Sequence, residues 1–215
     1  VVGTAINLAM SALLAYPLSL KDLPGKRIIS FYIFFTMLFN GGLVPTYLMY
    51  TGIFHINNTL LAYIIPGFLM SAMNVMLIRT FFSTSIPEAL FESAQIDGAS
   101  QFQIFIKIVL PLGKPILVAM GLLSGLGYWN DWTNGLYYVR DTKMYGIQNL
   151  LNKMISDLTA LTQNASGAST TAIADIPSAS VRMAIAFVAM LPILCMYPFL
   201  QKYFTKGIAL GAVKG

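Results

Sequence analysis

The polar residues of this chain gather into a few short islands, and long apolar stretches lie between them. Residues 1–20, 28–54 and 56–78 contain no Asp, Glu, Lys or Arg. A fourth apolar stretch runs from Pro115 to Tyr138, interrupted by Asp131, and a fifth from Ala179 to Leu200, with Arg182 just inside it. A bilayer core about 30 Å thick needs roughly 20 apolar residues in a helix. The pattern therefore predicts five spans, over 1–20, 28–50, 58–82, 115–138 and 179–200. A loop at 83–114, a second at 139–178 and a tail at 201–215 complete a single domain. The expected fold is an all-α membrane protein, a polytopic helical bundle.

Composition supports this reading. Of 215 residues, 57% are hydrophobic and 10% charged, against roughly 25% charged in a soluble domain. So few charges cannot cover a water-facing surface of this size. The net charge of +5 comes without a basic run, which leaves no footprint for nucleic acid. The charges do assign sides. Lys21, Lys26 and Arg27, then Arg79, Lys107 and Lys114, then Lys202, Lys206 and Lys214 fall on one side by alternation. That is nine of the thirteen Lys and Arg residues; the other side has Arg140, Lys143 and Lys153. The positive-inside rule puts the nine in the cytoplasm, with the C-terminus. Val1 would then lie outside, and a chain starting there without Met is expected to have lost a preceding span, giving six in the full protein.

Little in the chain suggests chemistry of its own. The single cysteine, Cys195, sits in an apolar run where packing is its expected role, and the single histidine, His55, falls in a short turn without metal-ligand neighbours. No G-x-x-x-x-G-K-[ST] phosphate loop occurs. Neither paired acids nor a Ser–His pair lies within the spans, so no catalytic residue, metal ligand or cofactor is assigned. An ion-driven secondary carrier would want ionisable groups at mid-membrane, and the first three stretches have none.

The most structured polar segment is 83–114. Ser85-Ile86-Pro87-Glu88 reads as a capping box, with Ser85 as N-cap and Glu88 reaching back. The helix it opens should end at Asp97-Gly98, where Gly can adopt a left-handed cap. A second box, Ser100-Gln101-Phe102-Gln103, opens a helix with Phe102, Phe105, Ile106 and Val109 at i, i+3, i+4, i+7. Pro111 should close it and Pro115 open the next span. Two short amphipathic helices joined by a sharp bend make a knuckle suited to a partner's groove. An interfacial pair lying on lipid is the alternative, and Glu88, Glu92 and Asp97 argue against it.

These residues also carry a resemblance. Glu92-Ser93-Ala94-Gln95-Ile96-Asp97-Gly98-Ala99, followed by Ile108, Leu110-Pro111 and Pro115, resembles the EAA loop of ABC importer permeases, with Ser93 replacing the second alanine. Gly127-Tyr128-Trp129-Asn130-Asp131-Trp132 and the tail Gln201–Gly207 with Gly211–Gly215 are similar to carbohydrate-importer permeases, in particular to the maltose importer's second permease subunit. The run from Pro192 through Tyr197-Pro198 to Gln201 is similar to the branch associated with complex oligosaccharides.

The resemblance implies a permease subunit of the bacterial cytoplasmic membrane. It would pair with a second homologous permease, expected as a heterodimer, and take solute from an extracellular or periplasmic sugar-binding protein. Two separate ATPase subunits would bind ATP and Mg. The knuckle would be the cytoplasmic coupling loop: Glu92 pairs with a basic group of the ATPase, Glu88 and Asp97 lie beside it, and Leu90, Phe91 and Phe102 supply apolar contact. Ala94 and Gly98 permit close packing and the bend, and Pro111 ends the motif. The tail would lie near the same ATPase. For the sugar path the candidates are Trp129, Asn130, Asp131 and Trp132, with Asn74 and Asn40 behind them; an interfacial aromatic belt remains the alternative. Residues 160–175 would contact the binding protein. A permease for another solute, amino acid or metal, stays open beside the sugar reading.

Overall fold

The computed structural model describes residues 1–164, 180, 183–195 and 198; the 165–179 part of the second loop, where contact with a binding protein was expected, and the tail 201–215 lie outside the described residues. Every regular element among the described residues is helical. The first uncharged stretch becomes α1 (Val2–Ser19), the one described helix that is by itself long and apolar enough to cross a membrane. Its inward face is small and weakly polar: Gly3, Asn7, Ser11, Ala12 and Ala15 are buried, with Ser11 and Ala15 at 0% exposure. Small residues let helices approach closely where the hydrophobic effect gives them no mutual attraction.

The second stretch is bent. α2 (Lys26–Leu38) and α3 (Leu43–Leu48), which continues as a π-helical turn to Ile53, meet at 110°. The break falls at Asn40-Gly41-Gly42, where Gly42 has φ +86°, a left-handed value that favours glycine. The third stretch is interrupted too. α4 (Leu61–Ile64) stops before Pro66-Gly67, and α5 (Ala72–Ser85) restarts on an Ser71 cap. Fewer uninterrupted helices result than the apolar pattern alone predicts: one clear span, or three if each bent pair is counted as one. Apolar length registers residues that avoid water, whereas Pro and left-handed Gly decide where the helix ladder breaks.

Three further elements form the knuckle. α6 (Glu88–Ile96) is followed by α7 (Gln101–Ile104), which passes through a π turn (Phe105–Val109) into α8 (Leu110–Leu112). α9 (Lys114–Trp129) then leaves at 78°. Beyond it come α10 (Thr133–Tyr138), α11 (Ile147–Asn164) and the apolar helix α12 (Met183–Cys195).

The core lies where α1 crosses α5 and α9. Val75, Ile78 and Phe82 of α5 are at 0% exposure, and they pack with Ala12, Ala15, Tyr16 and Leu18 of α1 and Met120 of α9. On α9, Gly121 and Gly125 present bare backbone to Leu8 and Thr4 of α1, a small-xxx-small spacing that draws the two helices together. The core continues into the knuckle through Ile86, Ala94, Ile104, Phe105 and Val109. A smaller apolar cluster at the opposite end joins Ala62, Tyr138 and Val139, with Tyr47, Tyr50, Tyr63 and Tyr145 around them.

Two single-residue expectations are settled here. Cys195 is exposed, not packed, because α12 turns only part of its surface, Ile185 among it, inward. His55 sits in the expected turn with φ +49°, its Nδ1 3.1 Å from the Thr51 carbonyl.

Candidate functional site

The knuckle is built by local backbone rules. Its first capping box does not form: Ser85 is the last residue of α5, and Pro87 is the N-cap of α6 without a side-chain cap. Proline drives the residue before it into extended backbone, and Ile86 has φ −102° and ψ +117°. The chain therefore breaks at Ile86-Pro87, and Glu88 pairs with Lys21 instead of its own backbone. The second box forms as expected. Ser100 Oγ accepts from Gln103 N–H at 3.3 Å, while Gln103 Oε1 accepts from Ser100 N–H at 2.9 Å.

Between the boxes, α6 ends in a double turn. Ala99 N–H donates to the Ala94 carbonyl at 2.9 Å and Gly98 N–H to the Gln95 carbonyl at 3.0 Å, with Gly98 at φ +78°. This Schellman arrangement satisfies carbonyls that the helix end would otherwise orphan. A Cβ at Gly98 would meet nothing within 4 Å, so backbone conformation alone calls for glycine there. Pro111 does not close the second helix as expected. A π turn just before it loosens the ladder that proline interrupts, and the chain turns at Gly113.

The π turn also divides the expected apolar stripe. Phe105 and Val109 are buried, while Phe102 is 63% and Ile106 45% exposed. On α6, Ala94 faces the core and Phe91 packs inward on Tyr16, with ring centroids 6.5 Å apart. Leu90, Glu88, Glu92, Asp97 and Gly98 remain at the surface, and Ile96 is 86% exposed. The knuckle thus exposes Leu90, Ile96, Phe102 and Ile106 as well as three carboxylates, of which Glu88 and Glu92 border the turn that follows α1. Ile96 was not among the expected contact residues; its position just before the Asp97-Gly98 stop, beyond the buried Ala94 face, was the available signal.

The inner side is held by α1 and the turn after it. Tyr16 hydroxyl donates to Gln101 Oε1 at 2.6 Å, and its ring lies 5.2 Å from that of Phe105. Lys21 pairs with Glu88, and the carboxylate raises the Lys21 ammonium above the usual lysine range. That pairing persists through neutral pH and, on the alkaline side, is lost as pH climbs past the raised lysine value. Lys26 is lowered, chiefly by burial and then by Arg79, and its ammonium donates to the Leu20 carbonyl at 2.6 Å. A cleft of about 790 Å³ opens between this turn and α6, with Lys21, Lys26, Phe91 and Glu92 on its walls.

The candidates for a solute path are engaged with the fold. Asn74 Nδ2 donates to Asn7 Oδ1 at 3.2 Å and to Ser124 Oγ at 2.8 Å; Ser124 donates to Asn7 Oδ1 at 3.0 Å. Asn7 Nδ2 donates in turn to the Phe68 carbonyl at 2.6 Å. This network joins α1, α5, α9 and the broken segment before α5. Asn7 and Ser124 were not foreseen, since single small polar residues in an apolar run carry no pattern. Trp129 Nε1 donates to the Ala189 carbonyl at 3.0 Å, tying α9 to α12.

Asp131 is buried at 7% exposure and accepts from Asn134 N–H and Nδ2 and from Thr133 hydroxyl, which fixes the start of α10. Trp132 is 40% exposed, and its carbonyl accepts from Asn149. Asn130 is exposed at the end of α9, and Asn40 in the α2–α3 bend accepts from Gly42 N–H. The structure does not bring the six candidates together: Asn74 lies in the core, Asn40 on the bent arm and the rest at the α9–α10 junction. Among the described residues no cluster of His, Cys, Asp and Glu could hold a metal.

The architecture is that of an importer's membrane permease, and the comparisons place it. The chain belongs to the family of binding-protein-dependent transport system inner membrane components, which it matches over residues 5–210. It is 38% identical to Protein LplC of Bacillus subtilis (strain 168) over 217 residues, covering 100% of this chain and 71% of that one. It is 37% identical to the polygalacturonan/rhamnogalacturonan transport system permease protein YtcP of the same organism, covering 100% of this chain and 73% of YtcP. In structure it resembles a chain of a bacterial ABC transporter involved in the import of the acidic polysaccharide alginate. There the TM-score is 0.74 at 29% identity, over 94% of this chain and 73% of that one.

Proposed function

We propose that this chain moves a sugar or oligosaccharide across the cytoplasmic membrane, as one permease of an importer whose ATP hydrolysis occurs in separate subunits. The observation that carries the reading is the exposed surface of the knuckle, where Ile96, Phe102 and Leu90 stand open around a capped turn bearing Asp97, with Glu88 and Glu92 at the edge nearest α1. Apolar anchors supply contact with an ATPase cleft, and the rim carboxylates set register and orientation more than affinity. The sugar class is supported by relatives whose names specify polygalacturonan and rhamnogalacturonan, or melibiose, raffinose and stachyose.

In this reading the chain crosses the membrane five times over the stretches predicted from its apolar pattern, with breaks at 39–42, 65–71 and 130–132 along them. The knuckle and C-terminus face the cytoplasm. A second permease completes the pathway, two ATPases bind ATP and Mg, and an external binding protein delivers the solute near 160–175. Closure of the ATPases on ATP moves the knuckle, and the bundle shifts between two packings. Trp132, Asn130 and Asn40, the exposed members of the candidate set, are the solute contacts to test first.

The test is a reconstituted complex with co-expressed neighbouring subunits, with and without Glu92→Ala. ATP hydrolysis stimulated by the sugar-loaded binding protein, and lost or uncoupled in the variant, supports the reading. Uptake that follows an ion gradient with no copurifying ATPase overturns it.

A further inference from the structure

The knuckle is joined to the bundle by more than its two covalent ends. Tyr16, 7% exposed near the end of α1, reaches it with three contacts at once: the hydroxyl to Gln101 Oε1 at 2.6 Å, and the ring to Phe91 and Phe105 at 6.5 and 5.2 Å. Phe91 belongs to α6, and Gln101 and Phe105 to the α7 segment, so one side chain spans both halves of the knuckle. Nine residues earlier on the same helix, Asn7 anchors the polar network that holds α5 and α9. Nine residues at 1.5 Å each put the two contacts about 13 Å apart along one helix. No proline or glycine interrupts α1 between them; Pro17 follows the second.

We propose that Tyr16 is a positioning residue for energy coupling, making α1 the rod through which displacement of the knuckle reaches the centre of the bundle. The inference rests on the knuckle being the ATPase-docking element. The ring contacts hold α1 against the knuckle, whereas the hydroxyl fixes their rotational register, because a hydrogen bond is directional and ring packing tolerates sliding. Losing the hydroxyl lets the knuckle slip on α1, and hydrolysis then proceeds with less movement of the spans.

The test uses the whole transporter in liposomes and measures solute moved per ATP hydrolysed, a ratio insensitive to how much complex assembles. Tyr16→Phe keeps the ring contacts and removes only the hydroxyl; Gln101→Leu removes its partner. Each single variant should lower the ratio about fivefold, the factor a net hydrogen bond of ordinary strength supplies, with ATPase copurification unchanged. The double variant should be no worse than either single one, since both remove the same bond. A ratio that stays constant while both rates fall together makes Tyr16 a packing residue and overturns the proposal, as does a silent Gln101→Leu beside an impaired Tyr16→Phe. If the unaltered chain copurifies no ATPase, the docking reading itself fails and takes the proposal with it.

Discussion

Two apolar helices of this chain, nearly equal in length, stand in opposite relations to the rest of it. α5 buries Asn74, Val75, Ile78 and Phe82 against α1 and α9, whereas α2, one residue shorter, buries Ile33 alone. On α2, Phe31, Tyr32, Phe34, Phe35 and Leu38 are all exposed, and the stacked pair Phe35–Phe39, 4.2 Å between centroids, makes its contacts along its own surface. Hydrophobicity does not explain this, since the exposed α2 is the more apolar of the two. The difference lies in the neighbours: the Val75, Ile78 and Phe82 face of α5 meets small residues of α1 and the glycine-bearing α9, while on α2 only Ile33 is buried and the rings point away. Within a membrane apolar surface is no driving force for association, so a helix joins the core by fit.

Substitutions can break that contrast or sharpen it. Phe82→Ala, which empties a fully enclosed position, should cost about 3–5 kcal/mol, measured as loss of thermal stability in detergent micelles. Asn74→Leu should follow at about 2 kcal/mol, because it leaves Asn7 and Ser124 short of a partner in apolar surroundings; the same melt reads it. Gly98→Val places a β-branched residue at φ +78° and should cost about 1–2 kcal/mol, and hydrogen exchange of the knuckle amides should show the loosening there while α1 and α5 stay protected. Ser100→Ala removes one half of the capping box for about 1 kcal/mol, visible by the same exchange. Phe35→Ala on the bent arm should move the melt by less than about 0.5 kcal/mol. A large effect there would mean that α2 is packed in solution in a way its exposure does not suggest.

Much of this organisation was written in the apolar pattern, and the exceptions have definite causes. The uncharged run 1–20 became a continuous helix because its one proline, Pro17, lies in the last turn. The stretches 28–50 and 58–82 did not, because Gly42 and Pro66-Gly67 interrupt the ladder where hydropathy registers nothing. In the knuckle, Ser100 to Gln103 gave its capping box outright, since both partners lie within one turn. Ser85 to Glu88 has the same spacing, yet Pro87 forces Ile86 out of the helix, and the carboxylate found Lys21 across 67 positions of sequence. The exposed knuckle residues could be read from their motif. The α1 side of the same site could not: Tyr16 looks like any aromatic in a span until the fold sets it beside Gln101.

The closed bonding of Asn7, Asn74 and Ser124 bears on how such a chain can change over time. Each of the three answers the other two, so replacing one strands a polar group on its neighbours, while replacing the set together leaves the Phe68 carbonyl alone to find another donor. The positions should therefore be inherited as a unit: related permeases should carry either a full polar trio or an apolar one, with mixed sets rare. An engineer altering this bundle would then leave these sites untouched and work first on exposed residues such as Asn130, where a single substitution strands no buried partner.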